Sequence, residues 1–256
     1  MKMKWNRRMH CPNFCIVLMI CSLPILAGCG LRHGTGGQLT TRFVDAVGPS
    51  EREVYDVGNF SAIELRGNGR VKLVRGSPGV AIEGARNQID LVSVRVEENT
   101  LIVEPSQRVS FHPEIDIEIA VSRLSSFQSY GSFQLHTVGT PLDGGIVNLE
   151  IKGNGNYRFL INARRIDVVH NGFGKVELTG LVDTLNANVN ATGGFDSRNL
   201  LADVTSIEVN GVGNAFVYAG ESLTARANGI GSITYRGSPR SIDTKGRGIG
   251  NISARQ

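Results

Sequence analysis

Cysteine is confined to the first part of this chain. The four cysteines among the 256 residues are Cys11, Cys15, Cys21 and Cys29, and none occurs in the 227 residues that follow. This absence excludes a disulfide framework and a thiolate metal site from most of the chain. The one tryptophan, Trp5, also lies near the N-terminus. The rest of the chain therefore lacks the indole ring that often serves as a stacking platform for sugars.

Long apolar runs are also scarce, and the one that stands out lies near the N-terminus. Residues 14–26 are mostly apolar, but this run is shorter than the roughly 20 residues that a membrane-spanning helix needs. No acidic residue occurs before position 29, and four cations precede the run: Lys2, Lys4, Arg7 and Arg8. This arrangement predicts a signal peptide over residues 1–28, removed from the mature protein.

The predicted signal ends in Leu26-Ala27-Gly28-Cys29, which resembles the lipobox of bacterial lipoproteins. The resemblance implies cleavage before Cys29, a diacylglycerol on its thiol, and attachment to a membrane through that lipid. Gly30 follows Cys29 where retained lipoproteins carry Asp, which implies the outer membrane of a Gram-negative cell envelope. An ordinary signal-peptidase site followed by an unmodified thiol is the alternative.

The charge balance changes once the signal is removed. The full chain has 27 Lys and Arg against 23 Asp and Glu. Without the four cations of the signal, 23 basic residues face 23 acidic ones. A neutral domain offers no electrostatic basis for binding nucleic acid, which depends largely on neutralising phosphates.

Residues 29–53 are polar and rich in glycine, which is typical of a flexible tether after the lipidated cysteine. From residue 54 onward, short runs alternate between apolar and polar residues, as in Ile115-Asp116-Ile117-Glu118-Ile119. This period of two predicts strands bounded by turns, and no stretch shows a sustained helical period. The chain is therefore predicted to form a single, nearly all-β domain over residues 54–256.

Pairs of glycines recur at a nearly fixed interval in the second half of the chain. Counted from the second glycine of each pair, the steps are 19, 20, 19, 18 and 19 residues. Such a period indicates stacked units, each too small to bury its own apolar face. The pairs are Gly153/Gly155, Gly172/Gly174, Gly193/Gly194, Gly211/Gly213, Gly229/Gly231 and Gly248/Gly250.

This repeat favours a parallel β-helix with coils of about 19 residues over a sandwich of hairpins, because only stacked coils must turn at the same places. Glycine allows positive φ and close approach of backbones at such corners. We expect asparagines beside the glycines to form hydrogen-bonded ladders between coils. The C-terminal end, around Ile249 and Ile252, has no evident cap, and a homo-oligomer through this open end is one expectation. The asparagines are Asn154, Asn156, Asn171, Asn210, Asn214, Asn228 and Asn251.

Several segments resemble one known family. Phe60–Ile63, the turn Gly67-Asn68-Gly69 and the strand Gly76–Glu83 are similar to the start of the auto-transporter adhesin head domain family, the GIN or DUF2807 domain. Leu223–Pro239 and Gly248–Asn251 are similar to its closing motif. The resemblance implies a right-handed β-helix-like protein, often secreted or lipid-anchored, with no assigned activity. One departure is the Gly193-Gly194 corner, which lacks the spaced Gly-x-Gly.

The glycine pairs do not predict a cofactor site. A dinucleotide fingerprint needs a third glycine and a following helix, and neither is present. Calcium-binding β-rolls repeat every nine residues with an Asp in each copy, whereas here the period is about twice as long. We expect no cofactor and no metal. The scattered histidines agree with this, and His170 is expected to be a turn residue. The others outside the signal are His33, His112 and His136.

The strongest candidates for catalysis are three carboxylates, Glu114, Asp116 and Glu118. On one strand face they would stand about 6–7 Å apart, close to the separation in inverting glycosidases. A solvated strand gives the same alternation without any catalysis. For sugar binding, Tyr157 and Phe159 are candidates to expose one ring on an outer face, although core packing explains the phenylalanines better.

These observations leave three functional hypotheses. The first is a lipid-anchored envelope protein without catalytic activity that binds a surface glycan or a protein through its repetitive outer face. The second is a carbohydrate-active β-helix enzyme that uses the acidic strand. The third is a purely structural lipoprotein that faces the periplasm.

Overall fold

Strands dominate the structure. The computed structural model describes residues 41–255, all within the unit Thr40–Gln256, and is 71% strand and 2% helix. This confirms the all-β prediction. Within the described range, no helix has the length and apolar character of a membrane span. The predicted signal, Cys29 and residues 30–40 of the tether lie outside the described residues. Residues 42–45 and 50–53, also assigned to the flexible tether, lie in paired strands, so that part of the prediction is wrong.

The elements follow one another closely. In chain order they are β1 (Arg42–Asp45), β2 (Ser50–Tyr55), β3 (Ala62–Arg75), β4 (Gly79–Ala85), α1 (Arg86–Ile89), β5 (Val92–Glu97), β6 (Thr100–Pro105), β7 (Val109–His112), β8 (Asp116–Val121), β9 (Ser126–Val138), β10 (Leu142–Asp143), β11 (Ile146–Ile151), β12 (Asn154–His170), β13 (Phe173–Val189), β14 (Thr192–Val209), β15 (Ala215–Tyr218), β16 (Ser222–Ala227), β17 (Ile233–Arg236), β18 (Ser241–Gly246) and β19 (Ile252–Ala254).

From β9 onward the strands stack in parallel as a solenoid. Gly155 pairs with Gly174, and Gly174 pairs with Gly193, so each turn, or rung, advances by about one repeat. The stack continues from β14 to β15 and β16, then to β17 and β18, and ends at β19. The whole solenoid has about 7 turns. The predicted stack of coils is confirmed, and the sandwich alternative is wrong.

The N-terminal part is less regular than the repeat predicts. β3 pairs in parallel with β9 on one side, and with β6 and β8 on the other. β4 is antiparallel to both β2 and β8, and β5 forms an antiparallel hairpin with β6. The hairpin turn uses Glu98 and Asn99 at φ 46° and 66°, as a type I′ turn requires. β1 and β7 form a separate two-stranded sheet. The chain therefore adds antiparallel strands beside β3 before it begins regular coiling.

The corner glycines lie where consecutive backbones are closest. Gly174 has φ +117°, and a Cβ atom there would overlap the carbonyl oxygen of Gly155 in the rung before it. Gly172 has an ordinary φ, but its Cβ would overlap the Gly153 carbonyl oxygen. A side chain at either position would therefore push two rungs apart. The same overlap with the preceding rung occurs at Gly153, Gly155, Gly211, Gly213, Gly229, Gly231, Gly248 and Gly250.

At the irregular corner, the second glycine aligns with those of the other corners. Gly193, at φ +144°, pairs with Gly174 and occupies the second glycine position. Ala191 occupies the first position, and Gly194 pairs with Lys175 of the preceding strand, β13. The pair that matches the other corners is therefore Ala191/Gly193, and the Gly193/Gly194 pairing from the sequence is wrong. The extra residue of this coil lies in a β-bulge after Asp196, where the register shifts.

Side chains at equivalent positions form columns inside the solenoid. One such column contains only buried residues. Aromatic residues of neighbouring columns pack edge to face, and the ring centroids of Phe127 and Phe159 are 5.2 Å apart. Tyr157 is 0% exposed and Phe159 is 2% exposed. Neither offers a ring to a sugar, so the exposed-ring candidate is wrong and core packing is confirmed for Phe159. The column is Tyr157, Val176, Phe195, Ala215 and Ile233.

His170 also belongs to this interior. It ends β12, is 0% exposed, and lies in register between Ile151 and Val189. Neither ring nitrogen has a hydrogen-bond partner, and burial lowers the pKa of the imidazole from 6.5 to about 4. The expectation of a turn residue is therefore wrong, because the corner begins one residue later.

Candidate interaction face

The acidic strand is neutralised by cations on neighbouring strands. Asp116 Oδ1 accepts a hydrogen bond from Arg70 Nε at 2.6 Å. Glu118 Oε2 accepts one from Lys72 Nζ at 2.8 Å, and Glu118 Oε1 accepts one from Arg52 Nη2 at 3.1 Å. Cross-strand ion pairs of this kind stabilise a sheet face.

These contacts do not favour acid–base chemistry. The hydrogen bond from Lys72, followed by that from Arg52, lowers the pKa of Glu118, whereas a general acid at neutral pH needs a raised pKa. Glu114 lies before β8 begins and is outside the paired strand. The isoleucines between the carboxylates are buried, as predicted. The arrangement is that of a solvated strand face.

The structure does not gather the histidines into a site. His112 and His136 are exposed on β7 and β9, while His170 is enclosed in the solenoid. Among residues 41–255, no cluster of three or more His, Cys, Asp and Glu side chains is arranged to hold a metal ion. His33 lies outside the described residues.

Two of the partly exposed aromatic rings are in contact with cations of the same chain. The Arg66 Cζ and Lys152 Nζ atoms lie 5.0 and 5.4 Å from the centroid of the Tyr130 ring. Arg198 Cζ lies 4.0 Å from the centroid of the Phe216 ring. Cation–π contacts of this kind occupy ring faces that a sugar would need. They do not favour a carbohydrate platform at these positions.

A line of asparagines stands immediately before the glycine corner, one per rung. Asn190 Nδ2 donates to Asn171 Oδ1 at 2.8 Å, Asn210 Nδ2 donates to Asn190 Oδ1 at 2.9 Å, and Asn228 Nδ2 donates to Asn210 Oδ1 at 2.9 Å. We call these four residues the asparagine ladder. The expected ladder is present, although Asn190 was missed because it precedes an alanine rather than a glycine.

Two of the other expected asparagines use their amides elsewhere. Asn156 Nδ2 donates to Gln134 Oε1 at 3.4 Å, and Asn214 Oδ1 accepts from the backbone nitrogen of Ser232 at 3.0 Å. They follow the corner rather than precede it. Position relative to the first glycine therefore decides which asparagines join the ladder.

An exposed apolar column runs beside the ladder. Its members stand between the two glycine positions of each corner, and parallel bridges connect the later ones. Because both flanking positions pack against the rung below, the middle side chain points into solvent. We call this column the corner ridge. Its residues are Phe173 (62% exposed), Thr192, Val212 (48%), Ile230 (53%) and Ile249 (75%).

The ridge presents its apolar groups on a rigid, evenly spaced support. Strands in a sheet are about 4.8 Å apart, so five rungs extend the ridge over roughly 20 Å. The ladder stabilises the same corner through side-chain hydrogen bonds between rungs. Soluble proteins seldom expose large contiguous apolar patches unless these bind something. Of the features described here, the ridge is therefore the strongest candidate for a binding surface.

The fold is a β-solenoid, and this face carries an exposed apolar ridge. Residues 59–239 match the family described as "Putative auto-transporter adhesin, head GIN domain" (DUF2807). The chain belongs to this family, which confirms the resemblance in the sequence. The family's description is that of an adhesin head rather than of an enzyme. No protein with a curated description matches the chain.

Solved structures share the fold. A putative adhesin from Bacteroides fragilis NCTC 9343 has a TM-score of 0.75 at 23% identity, over 83% of this chain and 100% of that one. A putative adhesin from Parabacteroides merdae ATCC 43184 has a TM-score of 0.62 at 15% identity, over 84% and 100%. A putative lipid binding protein from Parabacteroides distasonis ATCC 8503 has a TM-score of 0.60 at 18% identity, over 82% and 99%. At these identities the likeness extends to the fold alone.

Proposed function

We propose that this protein is a lipid-anchored adhesin of the cell envelope that binds a protein ligand along the corner ridge, without catalysis. The observation that carries the proposal is the ridge itself, where large apolar side chains project from successive rungs without serving the core. The family description agrees with a surface role. The lipobox at Cys29 supports attachment to the outer membrane, and the tether after it would hold the domain away from the lipid.

A protein ligand suits the ridge better than a glycan does. Aliphatic side chains at Val212, Ile230 and Ile249 offer apolar contact area but no polar groups of their own. Sugar-binding sites combine aromatic rings with several converging hydrogen-bond groups. Phe173 is the only ring on the ridge, and the flanking amides of the asparagine ladder bond to one another. Repeated small contacts along the rungs would add up in binding an extended partner.

The ridge is tested by replacing Val212 and Ile230 with serine and measuring attachment of intact cells to surfaces coated with candidate proteins. The matched control replaces Leu181 and Leu201, which are 55% and 49% exposed on another corner. All four side chains are solvent-exposed, so stability should change little in either variant. We expect attachment to fall at least tenfold in the ridge variant alone, by the size of hot-spot losses. Equal attachment by both variants would exclude the ridge as the binding surface.

Anchoring and orientation need a separate measurement. Intact cells are treated with a membrane-impermeant biotin reagent, which labels lysines such as Lys175 and Lys245. Labelling in intact cells supports the adhesin. Labelling that appears only after the outer membrane is opened would favour the structural periplasmic alternative and would contradict a surface role.

The enzyme alternative is weakened by the ion pairs of Asp116 and Glu118. If purified protein cleaves polysaccharides and the Asp116→Asn/Glu118→Gln variant does not, the non-catalytic proposal fails.

A further inference from the structure

The last long strand of the described solenoid has one unpaired edge. β18 pairs with β16 on one side, and all six of its residues are exposed. Ile242 is 51% exposed, although the residue below it in the same interior column, Leu223, is 1% exposed. An unpaired strand edge above an open core is a ready surface for pairing with another strand.

The backbone hydrogen bonds determine which groups are free at this edge. The backbone nitrogen of Ser241 donates to the Glu221 oxygen at 3.2 Å, and that of Arg247 donates to the Ala227 oxygen at 2.8 Å. Odd-numbered residues of β18 thus direct their N–H and C=O groups toward β16. Because these directions alternate along a strand, Ile242, Thr244 and Gly246 direct theirs to the free edge.

The side chains alternate in the same way. Ile242 and Thr244 continue the interior columns of Leu223 and Ala225. Asp243 and Lys245 therefore point outward, two residues apart and with opposite charges. This pattern is complementary to itself when the strand is reversed.

We propose that two copies of this chain pair end to end through antiparallel β18 strands, with Thr244 on the two-fold axis. Thr244 then stands opposite Thr244 of the second copy, and Ile242 stands opposite Gly246 of the second copy. Each of these pairs exchanges two backbone hydrogen bonds across the free edge. The inward side chains of both copies close over one continuous core, and the interface is isologous, as a dimer requires.

Charge selects this register over its neighbours. With Thr244 on the axis, Asp243 of each copy stands opposite Lys245 of the other. Shifting the axis to Asp243 places two carboxylates opposite each other, and shifting it to Lys245 places two ammonium groups opposite each other. Both shifts keep the hydrogen-bond alternation but set like charges in direct cross-strand contact, which is destabilising.

The register is tested by a cysteine scan in the full-length protein in its own membranes. Thr244→Cys places two thiols across a pair with a Cα separation of about 5.5 Å, within disulfide range. Mild oxidation with diamide should then give a band of doubled mass on a non-reducing gel. Asp243→Cys and Lys245→Cys, whose copies lie diagonally apart, should give much less, and the wild type should give none. Equal or absent cross-linking at all three positions would overturn the proposal.

The charges are tested by reversal and restoration. Lys245→Glu sets carboxylates opposite each other but leaves the contact between Arg226 and Asp243 within the chain intact. It should raise the dimer dissociation constant about tenfold in sedimentation of the detergent-solubilised chain, from two altered cross-strand pairs. Adding Asp243→Lys should restore dimerisation. A monomeric wild type, or a double variant no better than Lys245→Glu, would contradict the two-fold pairing. Neither result depends on the ridge or on its ligand.

Discussion

Replacing His170 with leucine should stabilise the protein, and the gain should increase as the pH falls. The imidazole is fully buried between apolar residues, and both of its nitrogens lack hydrogen-bond partners. An unsatisfied buried polar group costs roughly 1–3 kcal/mol. Leucine has a similar size and no polar atoms, so the variant should gain about 1 kcal/mol or more at pH 8, where the histidine is neutral in both states.

At low pH, buried His170 destabilises the wild type by a second mechanism. Burial lowers the pKa of His170 from 6.5 to about 4, so the unfolded chain binds the proton more tightly than the folded one. This loss of folding stability is absent above pH 6.5, grows as the pH falls, and is complete below about pH 4. One pKa unit corresponds to about 1.4 kcal/mol. The histidine should therefore cost the wild type about 2 kcal/mol at pH 5 and about 3 kcal/mol at pH 4.

Urea unfolding at pH 8, 6 and 5 measures both contributions. Carboxylates titrate in the wild type and in His170→Leu alike, so the difference between the two isolates the imidazole. We expect the difference in unfolding free energy to widen by about 2 kcal/mol between pH 8 and pH 5. A difference that stays constant across this range would refute the burial argument, because it would mean that the ring is protonated without penalty.

Three further predictions concern the corner and the anchor. Gly174→Ala should lose about 3 kcal/mol or more of stability, since its Cβ overlaps the Gly155 carbonyl oxygen and its φ is positive. Gly194→Ala is the control; its nearest neighbour would be Lys175 Cγ at 3.5 Å, so thermal unfolding should be unchanged or slightly raised. Asn190→Ala removes two ladder hydrogen bonds and should lose about 1 kcal/mol in urea unfolding, more than Asn156→Ala, whose contact is weaker. Cys29→Ala should move the protein from the membrane to the soluble fraction and abolish labelling by a fatty-acid probe, whereas retention in the membrane would exclude the lipid anchor.

The repeat was predictable because most corner positions where stacked backbones touch carry glycine. Gly172 and Gly174 indicate a corner from their residue type alone. The number of residues to the next such pair gives the length of a rung. The same reasoning predicted hydrogen-bonded asparagines. It failed at Ala191, where an alanine stands in the first glycine position, and therefore also missed Asn190.

Other features depend on contacts that are distant in sequence. Nothing near Ser50–Tyr55 indicates that β2 pairs with β4 in the antiparallel sense, because that depends on how the chain leaves and rejoins the stack. His170 precedes a turn-forming Asn-Gly pair, so the local sequence favours a turn, but the period of two places it inside. The pairing of Glu118 with Lys72 joins two strands more than forty residues apart, which alternation within one strand does not reveal. The corner ridge appears only when the residues between the glycines are aligned by register.

Binding of a partner along the corner ridge can be tested directly on cells. The most direct measurement places a photoreactive amino acid at Ile230 in intact cells in contact with their natural surface, with Leu201 as the matched exposed position on another corner. We expect a discrete cross-linked protein adduct from Ile230 and none from Leu201. Adducts from Leu201 alone, or identical adducts from both positions, would contradict binding along the ridge.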